Sequence, residues 1–320
     1  MSHYDVFNGD ADGLCALQQL RLENPIDDAV LVTGVKRDIA LLQQVTASAG
    51  DTITVLDISL DKNREALESA LAAGASVDYF DHHFAGEIPQ HPKLTTHIDT
   101  SPEICTSLLV NDSLQSARLA WAVAGAYGDN FHDAARAAAA PLGLNEQQLE
   151  ALCELGTLLN YNGYGNEVAD LFFHPRELAL KLRPYANPFA FIAHEPAYQA
   201  LRQGYADDMA RVDALEPELA DDEVALFIMP DAPWSRRVSG VYGNLLARNH
   251  PQRAHAILTA LEDGAFRVSI RAPLTRRTGA DTLCREFPSG GGRAAAAGIN
   301  RLEAGEYGHF IDRFAHYFRC

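Results

Sequence analysis

No apolar run in this chain approaches the roughly 20 residues that cross a bilayer, so a membrane-spanning protein is not expected. The opening residues, Met1-Ser2-His3-Tyr4-Asp5, have neither the basic nor the apolar region of a secretory signal, and a cytoplasmic location follows as the expectation. Cysteine is scarce. Cys15, Cys105, Cys153, Cys284 and Cys320 are odd in number and contain no CxxC pair, which argues against a disulfide framework and against a zinc knuckle. Internal repeats are absent. Residues 230–320 contain no lysine: all 13 basic residues there are arginine.

What is present is a globular composition, 320 residues with 47% hydrophobic, enough for a large core and about two domains. The net charge of -17 is unevenly spread. Residues 1–229 carry 13 basic and 35 acidic side chains, and residues 230–320 carry 13 and 8. An acidic first part suits a carboxylate-rich metal site. An arginine-only second part suits a phosphate grip, because guanidinium presents a planar fork of donors. The overall acidity argues against tracking long duplex nucleic acid and favours a short phosphorylated ligand.

Residues 4–8, 29–35, 52–58 and 76–80 read as strands, and residues 14–22, 37–47 and 62–73 as the helices between them. That rhythm predicts a mostly parallel open sheet with helices on both faces. Helices are expected at 114–127, 134–140, 146–159 and 195–215, forming a connector. A polar stretch at 216–223 reads as the domain edge, giving domains 1–220 and 221–320. The second is a smaller α/β domain, with the active site expected in the cleft between the two.

Asp10 and Asp12 follow the first strand, Asp57 ends the third, and Asp81, His82 and His83 end the fourth. In a parallel sheet the carboxyl ends of the strands share one edge, so these groups converge. Carboxylates with one imidazole and no sulfur suit Mn2+ or Mg2+. For Asp12 alone, before Gly13 at a helix start, a capping role is an equal reading.

The stretch Asn8-Gly9-Asp10-Ala11-Asp12-Gly13, then Val55-Leu56-Asp57, Asp81-His82-His83 and Gly125-Ala126-Tyr127-Gly128-Asp129 resembles, in order and spacing, the four motifs of the DHH phosphoesterases. Arg267-Val268-Ser269-Ile270-Arg271 and Gly290-Gly291-Gly292-Arg293 resemble the substrate domain associated with that family. The resemblance implies two Mn2+ sites. Asp10 would hold one ion, Asp57 would bridge, and Asp12, His82 and Asp129 would complete the other. Asp57, His82 and His83 become the catalytic candidates, with His83 beside the metal or at the scissile phosphate. Ser269, Arg271, the Gly290, Gly291 and Gly292 backbone and Arg293 would hold the substrate. Two positions depart from the family, which has His at Asn8 and after the glycines at Arg293. Asn8 offers only a neutral carbonyl oxygen, so the first site is expected to be weaker or to fill only with substrate.

The function implied is metal-dependent hydrolysis of phosphodiester bonds in dinucleotides, short oligonucleotides or cyclic nucleotides. The alternatives are a phosphomonoesterase or pyrophosphatase on small phosphate esters, and a non-catalytic nucleotide sensor with a degenerate metal site. The expected partner is a short nucleotide or phosphorylated small molecule, with no long duplex and no membrane; a homodimer is left open. Lys36, Arg37, His97, Asp99, Trp234, Arg236 and Arg237 are secondary candidates for substrate contact, each with a solvated or structural reading beside it.

Overall fold

A computed structural model describes residues 1–319, which form two compact units, Met1–Gln203 and the residues from Gly204 onward. In the first unit β1 (His3–Phe7), α1 (Ala11–Glu23), β2 (Val30–Val32), β3 (Thr52–Leu56), α2 (Leu60–Ala72), β4 (Ser76–Asp81) and β5 (Leu94–Ile98) build a five-stranded sheet. All its pairings are parallel, in the order β2-β1-β3-β4-β5. The chain steps one way from β1 to β2 and the other way from β3 onward. Right-handed crossovers therefore put α1 and α2 on opposite faces. The side chains agree. Val6, Ile53 and Val55 pack with Leu60, Leu67 and Leu71 of α2. Asp5 and Thr54, one residue out of phase, meet Arg21 of α1 at 2.7 and 3.1 Å. The reversal of direction lies between β1 and β3, the place where open parallel sheets receive ligands.

Residues 37–47 do not form the expected helix. Only a single 3-10 turn, Leu41–Gln44, survives. Leu41 and Leu42 are buried, and Asn63 of α2 accepts from Leu42 N at 3.1 Å and donates to Ile39 O at 2.7 Å. A tertiary partner thus satisfies backbone groups that a helix would pair internally. Strand β5 went unpredicted because Leu-Thr-Thr-His-Ile lacks a clean apolar alternation; its pairing to β4 holds it.

The helical part comprises α3 (Thr106–Ser113), α4 (Leu119–Gly128), α5 (His132–Ala139), α6 (Glu146–Gly163), α7 (Pro175–Leu182), α8 (Pro188–His194) and α9 (Pro196–Val212). Helix α4 starts later than expected because Gln115 and Ser116 adopt left-handed φ of 52° and 64°. Gly128 and Gly156 set how closely α1, α4 and α6 approach. A Cβ on Gly128 would lie 2.2 Å from Ala11 Cβ and 2.6 Å from Gly156 O. These glycines bring the carboxyl end of α4 and the middle of α6 against the first turn of α1.

The division between units falls within α9, whereas composition points to 220/221; the polar stretch there contains a short strand. The second unit contains β6 (Leu219–Ala220), β7 (Val224–Met229), α10 (Pro233–Asn249), β8 (Ala254–Ala260), β9 (Phe266–Arg271), α11 (Ala280–Cys284), β10 (Gly290–Gly292), β11 (Ala296–Leu302) and α12 (Tyr307–Phe318). Its mixed sheet runs β10-β11-β9-β8-β7-β6, with β7–β8 the parallel pair. Phe310, Phe314 and Phe318, at i, i+4 spacing on α12, seal its core. Among the described residues no helix is long and apolar enough to cross a membrane.

Candidate metal centre

The switch point of the first sheet collects the acids. Asp10 caps α1: its Oδ1 accepts from Asp12 N at 3.0 Å and Gly13 N at 3.1 Å. Asp12 points the other way, to the start of α3, where its two oxygens accept from Thr106 N and Ser107 N, each at 2.7 Å. The cap expected of Asp12 at the start of α1 is thus made by Asp10, while Asp12 serves the first amides of α3; neither bond excludes metal ligation by remaining lone pairs. Asp57, just beyond β3, adopts a left-handed φ of 59°. That conformation is costly for a side chain other than Gly, Asn or Asp, and it turns the carboxylate back over the strand ends. Thr106 Oγ1 donates to Asp57 Oδ1 at 3.2 Å. Asp129 follows α4, placed there by the Gly128–Gly156 approach.

His82 sits among them. Its Nδ1 lies 3.0 Å from Ile104 O, an atom that can only accept, so this nitrogen carries the proton. Nε2 faces Asp57 Oδ1 at 3.5 Å, Asp129 Oδ2 at 3.6 Å and Asp12 Oδ2 at 4.0 Å. A backbone carbonyl holding the far nitrogen of an imidazole in this way fixes the tautomer that ligates metals. His83 is more exposed; its Nδ1 is 2.7 Å from Asp81 Oδ1 and 3.8 Å from Asp57 Oδ1.

The electrostatics call for a cation. Burial, with Asp129 and Asp10 adding to it, pushes the Asp12 carboxyl up despite His82. Burial, then repulsion from Asp10, Asp12 and Asp129, pushes Asp57 well above the carboxylate range. Asp10, Asp12, Asp57 and Asp129 repel one another, and the Lys36 ammonium is bonded to two of them, Asp10 and Asp129. The ligand atoms fall into two groups that share His82, one of Asp12, His82 and Asp129 and one of Asp57, His82 and His83; carboxylates and imidazoles with no sulfur fit a divalent ion of the Mn2+ or Mg2+ kind.

The remaining expected ligands form no such set. Asn8 is buried; its Nδ2 donates to Lys36 O at 3.2 Å and its Oδ1 has no protein partner. Asp10 Oδ2 is bonded to Lys36 Nζ. Lys36 is thus not the solvated helix-start residue that the sequence suggested as an alternative. It also reaches Asp129 Oδ1 at 2.9 Å and Asn160 Oδ1 at 3.1 Å. Sequence reasoning missed Asn160, Thr106 and Ser107 altogether. His97 is engaged elsewhere, stacked on Phe80 at 4.2 Å, and Asp99 accepts from Ser101.

In the second unit Ser269, Gly298 and Gly291 stand in one row across β9, β11 and β10. Arg271 ends β9, with Nε donating to Asn244 Oδ1 at 2.7 Å and Nη1 to Ser269 Oγ at 3.0 Å. Gly290–Gly292 is an edge strand and not a free turn; the turn lies beyond it, where Arg293 N donates to Ala296 O at 2.9 Å and the Arg293 side chain is exposed. Arg236 and Arg237 are paired to Asp231 and Asp208, and Trp234 lies under Arg211 at 5.8 Å.

No family model and no curated protein matches the sequence. Solved structures do. An exonuclease RecJ bound to manganese superposes with a TM-score of 0.63 at 16% identity, over 99% of this chain and 90% of that one. The chain has a RecJ-like fold. A pGpG-specific phosphodiesterase, PggH, from Vibrio cholerae aligns at TM-score 0.58 and 14% identity, over 100% of this chain and 99% of its own. CDC45 from Entamoeba histolytica aligns at 0.51 and 8%, over 100% of this chain and 95% of its own. At 16% identity and below, these likenesses show the fold.

Proposed function

We propose that the chain is a metal-dependent hydrolase of phosphodiester bonds in short nucleotides, with Mn2+ as its ion and Mg2+ as a substitute. The observation that carries this reading is His82, whose protonated Nδ1 is tied to Ile104 O while Nε2 faces three buried carboxylates. The RecJ-like fold supports it, as do the activities named for the manganese-bound exonuclease and the pGpG-specific phosphodiesterase.

Asp12, Asp57, His82 and Asp129 would hold the ion, whose chemistry when bound is to make water a nucleophile near neutral pH and to offset phosphate charge. Thr106 and Ser107 orient the ligands by fixing Asp57 and Asp12. His83, its Nδ1–H directed at Asp81, stands beside Asp57 as the group to contact the scissile phosphate or to protonate the leaving oxygen. In the second unit we assign phosphate recognition to Ser269, Arg271, Arg293 and the Gly290–Gly292 backbone. The acidic balance of residues 1–229 favours short substrates over long duplexes.

The test is incubation with Mn2+ and a panel of linear dinucleotides, cyclic dinucleotides, cyclic mononucleotides and longer oligomers, with products resolved by mass. Mononucleotides released from a dinucleotide, and lost in His82→Ala, are the expected result. Inorganic phosphate from a mononucleotide would favour a phosphomonoesterase instead, and tight binding without turnover a sensor.

A further inference from the structure

The surroundings of Lys36 are built for a fixed cation. Its backbone is clamped on both sides: Lys36 N donates to Gly163 O at 2.8 Å, and Lys36 O accepts from Asn8 Nδ2 at 3.2 Å. An ammonium has three hydrogens, and Nζ has three acceptors, namely Asp10 Oδ2, Asp129 Oδ1 at 2.9 Å and Asn160 Oδ1 at 3.1 Å. The Tyr164 ring lies 5.7 Å from it, and the side chain is only 25% exposed.

Lys36 thus holds Asp10, the carboxylate to which the sequence resemblance gives the other ion. Asp10 has one oxygen on the Asp12 and Gly13 amides and the other on Lys36. Asp129 is divided, with Oδ1 on Lys36 and Oδ2 facing His82. What remains near Asp10 is the neutral Oδ1 of Asn8, and one amide oxygen is too poor a donor set for a second hard ion. Two ions beside Lys36 would crowd an ammonium against a metal on the same oxygens of Asp10 and Asp129.

We propose that the Lys36 ammonium takes the place of a second metal ion, so that the centre is mononuclear, held by Asp12, Asp57, His82 and Asp129. This deepens the hydrolase reading and rests on its assignment of those ligands. Lys36 is here a positioning residue. It neutralises Asp10 and orients Asp129, and with all three hydrogens engaged it does not itself grip the phosphate. A compact ammonium suits the role better than a guanidinium, whose planar fork cannot point three ways at once.

The test is a metal count on the full chain, independent of turnover. The protein is loaded with Mn2+ and desalted. Manganese per chain is then measured by mass spectrometry and its coupling by electron paramagnetic resonance. Wild type should hold a single ion with an isolated six-line spectrum. Lys36→Ala, and Lys36→Ala combined with Asn8→His, should gain a second ion and the broadened signal of a coupled pair. Two coupled ions in wild type would overturn the proposal, and would do so even if neither variant folds. An unchanged count in both folded variants would overturn it too. Dinucleotide turnover measured on the same samples separates the two readings. A mononuclear, inactive wild type sinks the hydrolase and leaves the lysine substitution standing; an active dinuclear one does the reverse. A wild type that binds no Mn2+ removes both.

Discussion

Asp57→Asn should make the metal-free protein more stable and the enzyme inactive. The Asp57 oxygen lies 3.5 Å from His82 Nε2, and those of Asp129 and Asp12 lie 3.6 and 4.0 Å from the same atom. Asp57 is therefore within about 7.5 Å of each, and at an effective dielectric of ~20 each such repulsion is worth about 2 kcal/mol. Lys36 offsets part of this, and the carboxyl escapes more by taking up a proton. Removing the charge should stabilise the metal-free state by roughly 1–3 kcal/mol. The substitution is otherwise conservative. Asn tolerates the left-handed φ of 59°, and its Oδ1 still accepts from Thr106 Oγ1. For a unit of this size the melting temperature in chelator should rise by roughly 3–10 °C, at about 2–4 °C per kcal/mol. Wild type should gain stability on adding Mn2+, and Asp57→Asn should lose most of that gain together with at least about 1,000-fold in turnover. Melting in EDTA and in Mn2+, with a dinucleotide assay alongside, checks all three. A variant that melts lower than wild type in EDTA while keeping its full response to Mn2+ would refute the view of Asp57 as a repelled, metal-seeking carboxylate.

Gly128→Ala would bring a methyl to 2.2 Å from Ala11 Cβ and 2.6 Å from Gly156 O. It should cost about 3 kcal/mol by denaturant titration and, by shifting Asp129, lower the affinity for Mn2+. Thr106→Val deletes the hydroxyl on Asp57 while leaving the Thr106 amide on Asp12. Turnover should fall by about 10-fold or more with stability changed by only about 1 kcal/mol. His255 of β8 is buried, and burial, with Arg253 and His250 nearby, lowers its pKa to about 4. The unfolded imidazole binds its proton near pH 6.5, so the unfolded state holds more protons between those values. Stability is full above pH 6.5 and is lost as the pH falls toward 4, by about 3 kcal/mol. Urea midpoints of wild type and His255→Leu across that range check it, the variant showing the flatter profile.

The parts of this site that could be read from the sequence are those governed by local rules. Asp10, Asp57 and His82 stand one to three residues beyond strand-like runs, and a parallel sheet gathers such positions at one edge. Strands β1, β3 and β4 announced themselves through β-branched and apolar residues. Lys36 was unreadable for a physical reason. It follows a three-residue strand in a stretch that looks like a solvated helix start, and its burial is created by Asn160, 124 residues further along the chain. Asn160 itself is one of several polar residues on α6, distinguished only by the approach that Gly128 and Gly156 permit. Thr106 and Ser107 were hidden because α3 opens on Thr106-Ser107 after Cys105, a stretch that carries no apolar periodicity. Its start is set by the Asp12 carboxylate, 94 residues earlier.

These long-range contacts explain how four carboxylates can be buried together before any ion arrives. Each has its own counterweight, and they are unequal. Asp12 takes two amides at the amino end of α3, where the helix dipole is positive. Asp10 takes two amides from α1 and the Lys36 ammonium. Asp129 takes the other side of that ammonium. Asp57 has a single hydroxyl, from Thr106. Unsatisfied charge is therefore concentrated on Asp57, next to Nε2 of His82. An incoming cation gains most at that point and least at Asp10, whose needs the protein already meets. One strong metal site with a lysine beside it is thus the arrangement in which every carboxylate has a partner and no two cations compete for the same oxygen.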